Sequence, residues 1–390
     1  MADSLRREWS NANPLSRLHL WIAAAQAAIL VALAAWLGKL VRGLDHRPLR
    51  LPLFVPMAAF LLASVLASAT AVDPYRSFID LRGTFEPAFF FVLVNHIAGE
   101  KRAITLSQVL IAAGTLMAVS GLAQSIAYGP EFRVKGTMSI YMTFAGVLVL
   151  IALLALAQLL FTPPSWVSYG LALSVVLLTA SLVMTQTRGA WIGLAAGVAL
   201  MLGFRQKRLL LTLPVAALMI FLVSPEAVRE RIRSIIDPQD LTARERLYMW
   251  SSGAQIFRDH PWTGVGIHGV KRVYTTYKHP NALRDQRGHL HNNFIQIAAE
   301  RGLIGLGCWL WIWGAFYWQA GQIYRALRPG ARQARALVVA SLASVTGFLV
   351  AGIFEYNFGD SEVIMLIYFL MALPYVAWGM PPSSKALGGT

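Results

Sequence analysis

Residues 139–161 read SIYMTFAGVLVLIALLALAQLLF, without one charged side chain. At a helical rise of about 1.5 Å per residue, this run is long enough to cross the roughly 30 Å hydrocarbon core of a bilayer. Ten further apolar runs lie at 18–41, 51–72, 84–98, 103–127, 165–187, 189–204, 208–224, 303–324, 333–356 and 362–380. None alternates with the two-residue period of a barrel strand. Each is therefore expected to be a helix, which satisfies its own backbone in lipid. The composition agrees: of 390 residues, 56% are hydrophobic and 14% charged, against roughly 25% charged in soluble domains. The expected fold class is an all-α polytopic membrane protein with about 11–12 transmembrane helices. Disorder, a coiled coil and a nucleic-acid-binding domain are excluded with the soluble classes.

The net charge is +15, and its location says more than its size. Arg42, Arg47 and Arg50, then Lys101 and Arg102, then Arg205, Lys207 and Arg208, then Arg325, Arg328, Arg332 and Arg335 fill short loops. Alternating helices put all of these on one side, which the positive-inside rule makes cytoplasmic, facing anionic lipid. Lys385 falls inside as well. Arg6, Arg7 and Arg17 fall outside, against the rule, so twelve spans with both ends inside would be self-consistent. No small-residue cleavage site follows the first apolar run, which reads as a retained helix and not a signal peptide. The lone cysteine, Cys308, permits no intramolecular disulfide.

One connection is too long for a turn. Residues 225–290 carry eleven Lys/Arg and seven Asp/Glu, and parity places them outside. Loops of this length are functional or disordered. The apolar anchors Leu247, Tyr248, Trp250, Ile256, Phe257 and Trp262 favour an ordered helical cap. The expected organisation is an N-terminal transmembrane bundle (1–224), a large outer loop domain bearing the site (225–300) and C-terminal transmembrane helices (301–390).

Three polar features face that outer side. Arg188, in Thr185-Gln186-Thr187-Arg188-Gly189-Ala190-Trp191, sits in a tight connection between two spans. An arginine there is either a snorkelling interfacial residue or an anion ligand, and its fixed place at the bundle mouth favours the anion, since guanidinium contacts phosphate bidentately. Arg246 and Trp250 share a helix face ahead of Pro261-Trp262-Thr263-Gly264-Val265-Gly266. His289-Leu290-His291-Asn292-Asn293 leads into an amphipathic helix. There His291 or Asn292 is a helix cap, or His291 is a general base. The His-x-His pair lacks the third and fourth ligands of a zinc site at usable spacing, so no metal is expected. Arg76 and Arg133 are further candidates for the anion or acceptor site, whereas Glu355, Asp360 and Glu362 read as loop-fixing ion pairs.

These residues resemble a known pattern. His291-Asn292, nine residues, Gly302, two residues and Gly305 is similar to the signature of bacterial O-antigen ligases of the WaaL type. Arg188-Gly189 and the stretch from Arg246 to Gly266 resemble segments that this family shares with O-antigen polymerases and protein O-oligosaccharyltransferases. The resemblance implies a multi-pass protein of the bacterial inner membrane with its site on the periplasmic face. It also implies transfer of polysaccharide from undecaprenyl pyrophosphate to a sugar hydroxyl of lipid A–core oligosaccharide. In that reading Arg188 and Arg246 meet on the pyrophosphate, His291 is the base of an inverting displacement, and Asn292, Arg76 and Arg133 support them. No cofactor and no nucleotide are implied, because the donor arrives activated. Lysine at Arg188 or Arg246 is expected to remove bidentate contact while leaving folding intact. A transporter is disfavoured: the charges gather at one surface and no internal repeat is visible.

Overall fold

The computed structural model describes residues 48–97, 99–235, 237, 239–285 and 288–378, together with residues 31, 35, 36, 38, 39 and 42. The first apolar run, Arg6, Arg7, Arg17 and Lys385 lie wholly or largely outside them, and the question of a twelfth span lies there too. Every regular element among the described residues is helical. The chain is an all-α polytopic membrane protein. Five helices are long and apolar enough to cross a bilayer: α4 (Gly99–Tyr128), α5 (Tyr141–Phe161), α6 (Trp166–Met184), α13 (Arg332–Ala351) and α14 (Ser361–Trp378). Shorter apolar helices accompany them: α1 (Phe54–Ala69), α3 (Pro87–His96), α7 (Arg188–Arg205) and α8 (Thr212–Val223). The run at 303–324 forms most of α12 (Asn293–Ala326). Each of the ten apolar runs after the first is therefore helical. The run 84–98 shortens to Pro87–His96, because a 3-10 turn at Leu81–Phe85 precedes Pro87, which lacks the N–H an interior helix position needs.

Burial sorts these helices by what surrounds them. α5 and α13 are sheathed in protein: Phe144, Leu148, Ile151 and Leu154 are at most 1% exposed, as are Leu337, Val339 and Val345. α4 and α6 stand outside them, with Ile126 86% and Trp166 90% exposed. In a water-soluble fold such exposure would be prohibitive; beside lipid tails it has no cost, and packing alone holds the helices together. Small residues set that packing. Gly189, Gly193 and Gly197 recur every fourth residue along α7. A Cβ on Gly193 would lie 2.6 Å from the Gly347 carbonyl oxygen of α13, and one on Gly197 would lie 2.8 Å from that of Ala343. No side chain fits there, so the two backbones touch as in other small-residue membrane interfaces.

The connection 225–290 folds into α9 (Glu226–Arg233), α10 (Leu241–Asp259) and α11 (Gly269–Tyr277). Met249, Ile256, Val265, Val270, Tyr274 and Leu290 close a second apolar cluster there, with Ala299 from α12. The loop is thus ordered over a core of its own and is joined to the bundle through α12. That helix breaks at Gly302, whose φ of 62° and ψ of −166° lie in a region that only glycine occupies readily. The turn segment 261–266 clasps the break: Leu303 N–H donates to the Pro261 carbonyl at 2.7 Å, and Gly266 N–H to that of Glu300 at 3.0 Å. Beyond the break the Arg301 side chain folds back over residue 305, and a Cβ there would collide with it. The two glycines of the sequence signature thus have separate jobs.

Candidate active site

The cap, the start of α5, the start of α7 and the segment following α13 gather at one end of the bundle. A cavity of about 360 Å³ opens between them, lined by Arg133, Tyr141, Arg188, Arg231, Arg246, Arg284 and His291, with Glu245. The starts of α5 and α7 face it, neither capped by a side chain, so their positive ends add to the field of the arginines.

Arg188 is the first residue of α7. The preceding Gln186 takes a left-handed conformation, φ 52°, which completes the hairpin in so few residues. The guanidinium is 7% exposed and firmly held: Nη1 donates to the Ser234 carbonyl at 2.7 Å and to Ser234 Oγ at 2.9 Å, and Nη2 to Asp240 Oδ1 at 2.7 Å. Asp240 also caps α10, accepting from Ala243 N–H at 2.8 Å. Burial disfavours the charged Asp240 carboxylate, yet the bonds from Arg188 and Ala243 outweigh it and hold its pKa below the usual range. Arg188 therefore fixes the cap to the bundle as well as lining the cavity.

The other arginines are held less tightly. Arg133 lies 3.6 Å from the centre of the Tyr141 ring and donates from Nη2 to the Gln186 carbonyl at 2.9 Å. Burial, and then repulsion from Arg231, Arg246 and Arg188, pull its pKa down to about 10. Arg231 and Arg246 are shifted down as well, by burial first. The cavity is an unbalanced cluster of cations that repel one another, which an anion would relieve. Arg76 does not line it. That residue sits on α2 (Pro74–Asp80), its side chain 70% exposed, drawn at 3.4 Å to Asp73, the residue that caps this short helix.

His291 occupies the turn before α12, with a left-handed φ of 50°. Strain of that size in a non-glycine residue persists only where the surroundings impose it. Asn292 anchors the turn on its helix side: its Oδ1 caps α12 by accepting from Ile295 N–H at 3.0 Å, and its Nδ2 donates to the Ile353 carbonyl at 2.9 Å. The second bond draws in the chain after α13, which ends at Ala351, before the apolar run does, and leaves Glu355 in the turn beyond. The Glu355 carboxylate meets His291 Nδ1 with both oxygens at 2.9 Å. Burial opposes the Glu355 charge, but the hydrogen bond from His291, with His289 and Arg246 close by, holds its pKa below the usual range. A carboxylate can only accept, so Nδ1 carries the proton and Nε2 of the neutral ring is the bare, basic nitrogen.

Glu355 is the site residue that sequence reasoning undervalued. It does form ion pairs, but with His291 and, at 4.0 Å, with Arg246. It lies 64 residues from His291, and its one sequence signal was an acidic side chain at the end of an apolar run. Arg231, one of the eleven loop cations, carries no motif of its own, and only the fold brings it to the cavity, 3.7 Å from Asp240. The expectation that the histidines lack a third ligand also needs correction: His289, His291 and Glu355 place their ligand atoms within 4.8 Å of one another.

The match to known families falls on this same machinery. A family model described as O-antigen ligase matches residues 173–310. Over this stretch the chain is similar to O-antigen ligases. The ligase-like stretch begins inside α6, ends inside α12 and contains Arg188, Arg246, His291 and Asn292. No curated protein matches the chain.

Proposed function

We propose that the protein joins a polysaccharide from undecaprenyl pyrophosphate to a sugar hydroxyl of lipid A–core oligosaccharide, at the periplasmic face of a bacterial inner membrane. The observation that carries this reading is His291, bonded through Nδ1 to Glu355 and placed at the wall of an arginine-lined cavity. Cation density suits a pyrophosphate leaving group, whose negative charge grows as the anomeric bond breaks. Arg246, Arg231 and Arg133 meet that charge, with Arg188 as the most rigid of the set. Nε2 of His291 takes the proton of the acceptor hydroxyl as its oxygen attacks the anomeric carbon. Glu355 keeps the ring in the right tautomer and stabilises the imidazolium that forms, as a buried carboxylate does behind other catalytic histidines. The attack is a single displacement and inverts the anomeric configuration. Nothing in it requires a metal or a cofactor.

The domain assignment belongs to the same proposal: 225–300 is the periplasmic module that closes over the lipid-linked donor, and the helices on either side anchor it. The test is to mix purified protein, freed of divalent metal, with undecaprenyl-pyrophosphate-linked glycan and lipid A–core. The expected product is lipid A–core shifted to higher mass by the glycan, with the anomeric linkage inverted. A longer lipid-linked glycan with lipid A–core untouched would favour the polymerase reading instead.

A further inference from the structure

Three side chains beside the cavity have a use that the transfer reaction leaves aside. His289 Nδ1 lies 3.8 Å from Glu355 Oε1, and His291 Nδ1 lies 2.9 Å from the same oxygen. The three ligand atoms lie within 4.8 Å of one another. Around a tetrahedral zinc ion, with bonds of about 2.0–2.1 Å, ligand atoms stand about 3.3 Å apart, between the two distances seen here. Two imidazoles and one carboxylate with a fourth position open is a donor set that suits Zn2+ and Co2+ and not Mg2+ or Ca2+. The histidine rings also lie edge to face, 4.2 Å between centres, so small rotations aim both Nδ1 atoms at one point.

We propose that His289, His291 and Glu355 form an inhibitory site for zinc or a similar transition metal. The inhibition, though not the site, rests on the reading of His291 as general base. When the neutral ring donates from Nδ1 to Glu355, its one proton is on that nitrogen and Nε2 is bare. A metal bonded to Nδ1 displaces that proton, and the neutral ring must carry its one proton on Nε2 instead. No proton is gained or lost; it changes nitrogen. The atom that faces the acceptor becomes a donor and can no longer accept a proton. Glu355 is drawn to the metal at the same time and ceases to orient the ring. Zinc thus switches the base off through its tautomer, without entering the arginine-lined cavity. Arg246, 4.0 Å from Glu355, repels the incoming dication, so the site competes with the arginine for the carboxylate.

The test uses full-length, metal-stripped protein in detergent and has two readouts. Co2+ added alone is expected to give the visible absorption of a tetrahedral complex at one ion per chain, displaced by Zn2+. His289→Ala and His291→Ala are each expected to weaken that binding at least about tenfold. In the transfer assay, Zn2+ is expected to inhibit wild type, with activity restored by a chelator, and Mg2+ to have no effect. His289→Ala is expected to keep its basal rate and to need at least about tenfold more Zn2+ for the same inhibition. Co2+ binding that is absent, or unchanged in both histidine variants, overturns the site; so does equal Zn2+ inhibition of wild type and His289→Ala. Failure of the ligase reading looks different: no joined product from the metal-free protein, whatever Co2+ does.

Discussion

At the scale of single residues the site separates into groups that act and groups that hold. His291→Ala is expected to lower turnover roughly a hundredfold or more, the usual worth of a positioned base, with little change in donor binding. A variant with near-normal turnover would reduce His291 to a helix-turn residue. Glu355→Gln keeps the shape and removes the charge, so it is expected to lose activity and to carry a pH signature. The Glu355 pKa is lower in the folded protein than in the unfolded chain. Its stabilising contribution is therefore complete above the unfolded value and vanishes as pH falls through the folded one. The difference in melting temperature between wild type and Glu355→Gln is expected to be widest near neutral pH and to close on acidification. A difference independent of pH would remove the charge from the explanation. The two signature arginines also part company here. Arg246→Lys loses bidentate contact and is expected to raise the donor KM with the melting temperature unchanged. Arg188→Lys cannot serve Ser234 and Asp240 together in the planar geometry that guanidinium provides. It is expected to lower the melting temperature as well as the activity, which revises the expectation that both changes leave folding intact.

At the scale of elements the decisive device is the broken helix. α12 holds the histidine at one end and a membrane segment at the other, and the break at Gly302 lets the turn segment 261–266 dock into it. A Cβ on residue 302 would stand 2.2 Å from the Trp262 carbonyl atoms, in a conformation that other residues avoid. Gly302→Ala is therefore expected to destabilise the protein by about 3 kcal/mol or more, since backbone strain and collision add. Gly307 lies five residues further along the same helix, where a Cβ meets nothing within 4 Å. Gly307→Ala is expected to be neutral or mildly stabilising. Thermal unfolding of the two variants in detergent checks the contrast; equal effects would mean that the break is not a structural requirement. The α7–α13 contact follows the same logic. Its glycines place Arg188 beside the turn carrying Glu355, because Gly189 abuts the Phe354 side chain.

At the scale of the whole molecule, charge is distributed by function. Lipid-facing helices such as α8 carry no buried residue and no charge along their length, while five arginines converge on one cavity. Mutual repulsion there leaves the ligand-free protein below its attainable stability. Inorganic pyrophosphate is expected to raise the melting temperature, by the equivalent of about 2.7 kcal/mol at a hundredfold excess over its dissociation constant. High salt is expected to shrink the shift and Arg246→Ala to reduce it. A melting temperature indifferent to pyrophosphate would mean that the arginines serve only the fold.

Sequence alone was enough for whatever local composition controls. Ten apolar runs became ten helices because a predominantly apolar stretch satisfies its backbone in lipid by forming its own helical hydrogen bonds. The ordered loop was legible in its apolar anchors, Arg188 and His291 as candidates in their positions at helix junctions, and Arg246 as one in the ligase-like pattern. Tertiary structure decided what depends on meeting. Arg188 is committed to Asp240 and Ser234 by the docking of α9 and α10, which the spacing of residues along the chain does not encode. Arg76 is carried off by its own helix cap, while Arg133 is brought in across the Tyr141 ring. Glu355 meets His291 where Asn292 and Asn293 hold the distant turn by hydrogen bonds to Ile353, Gly352 and Asn357. Periodicity reports which face of a helix is apolar; it carries no information about which polar ends, dozens of residues apart, the packed bundle brings within hydrogen-bond reach.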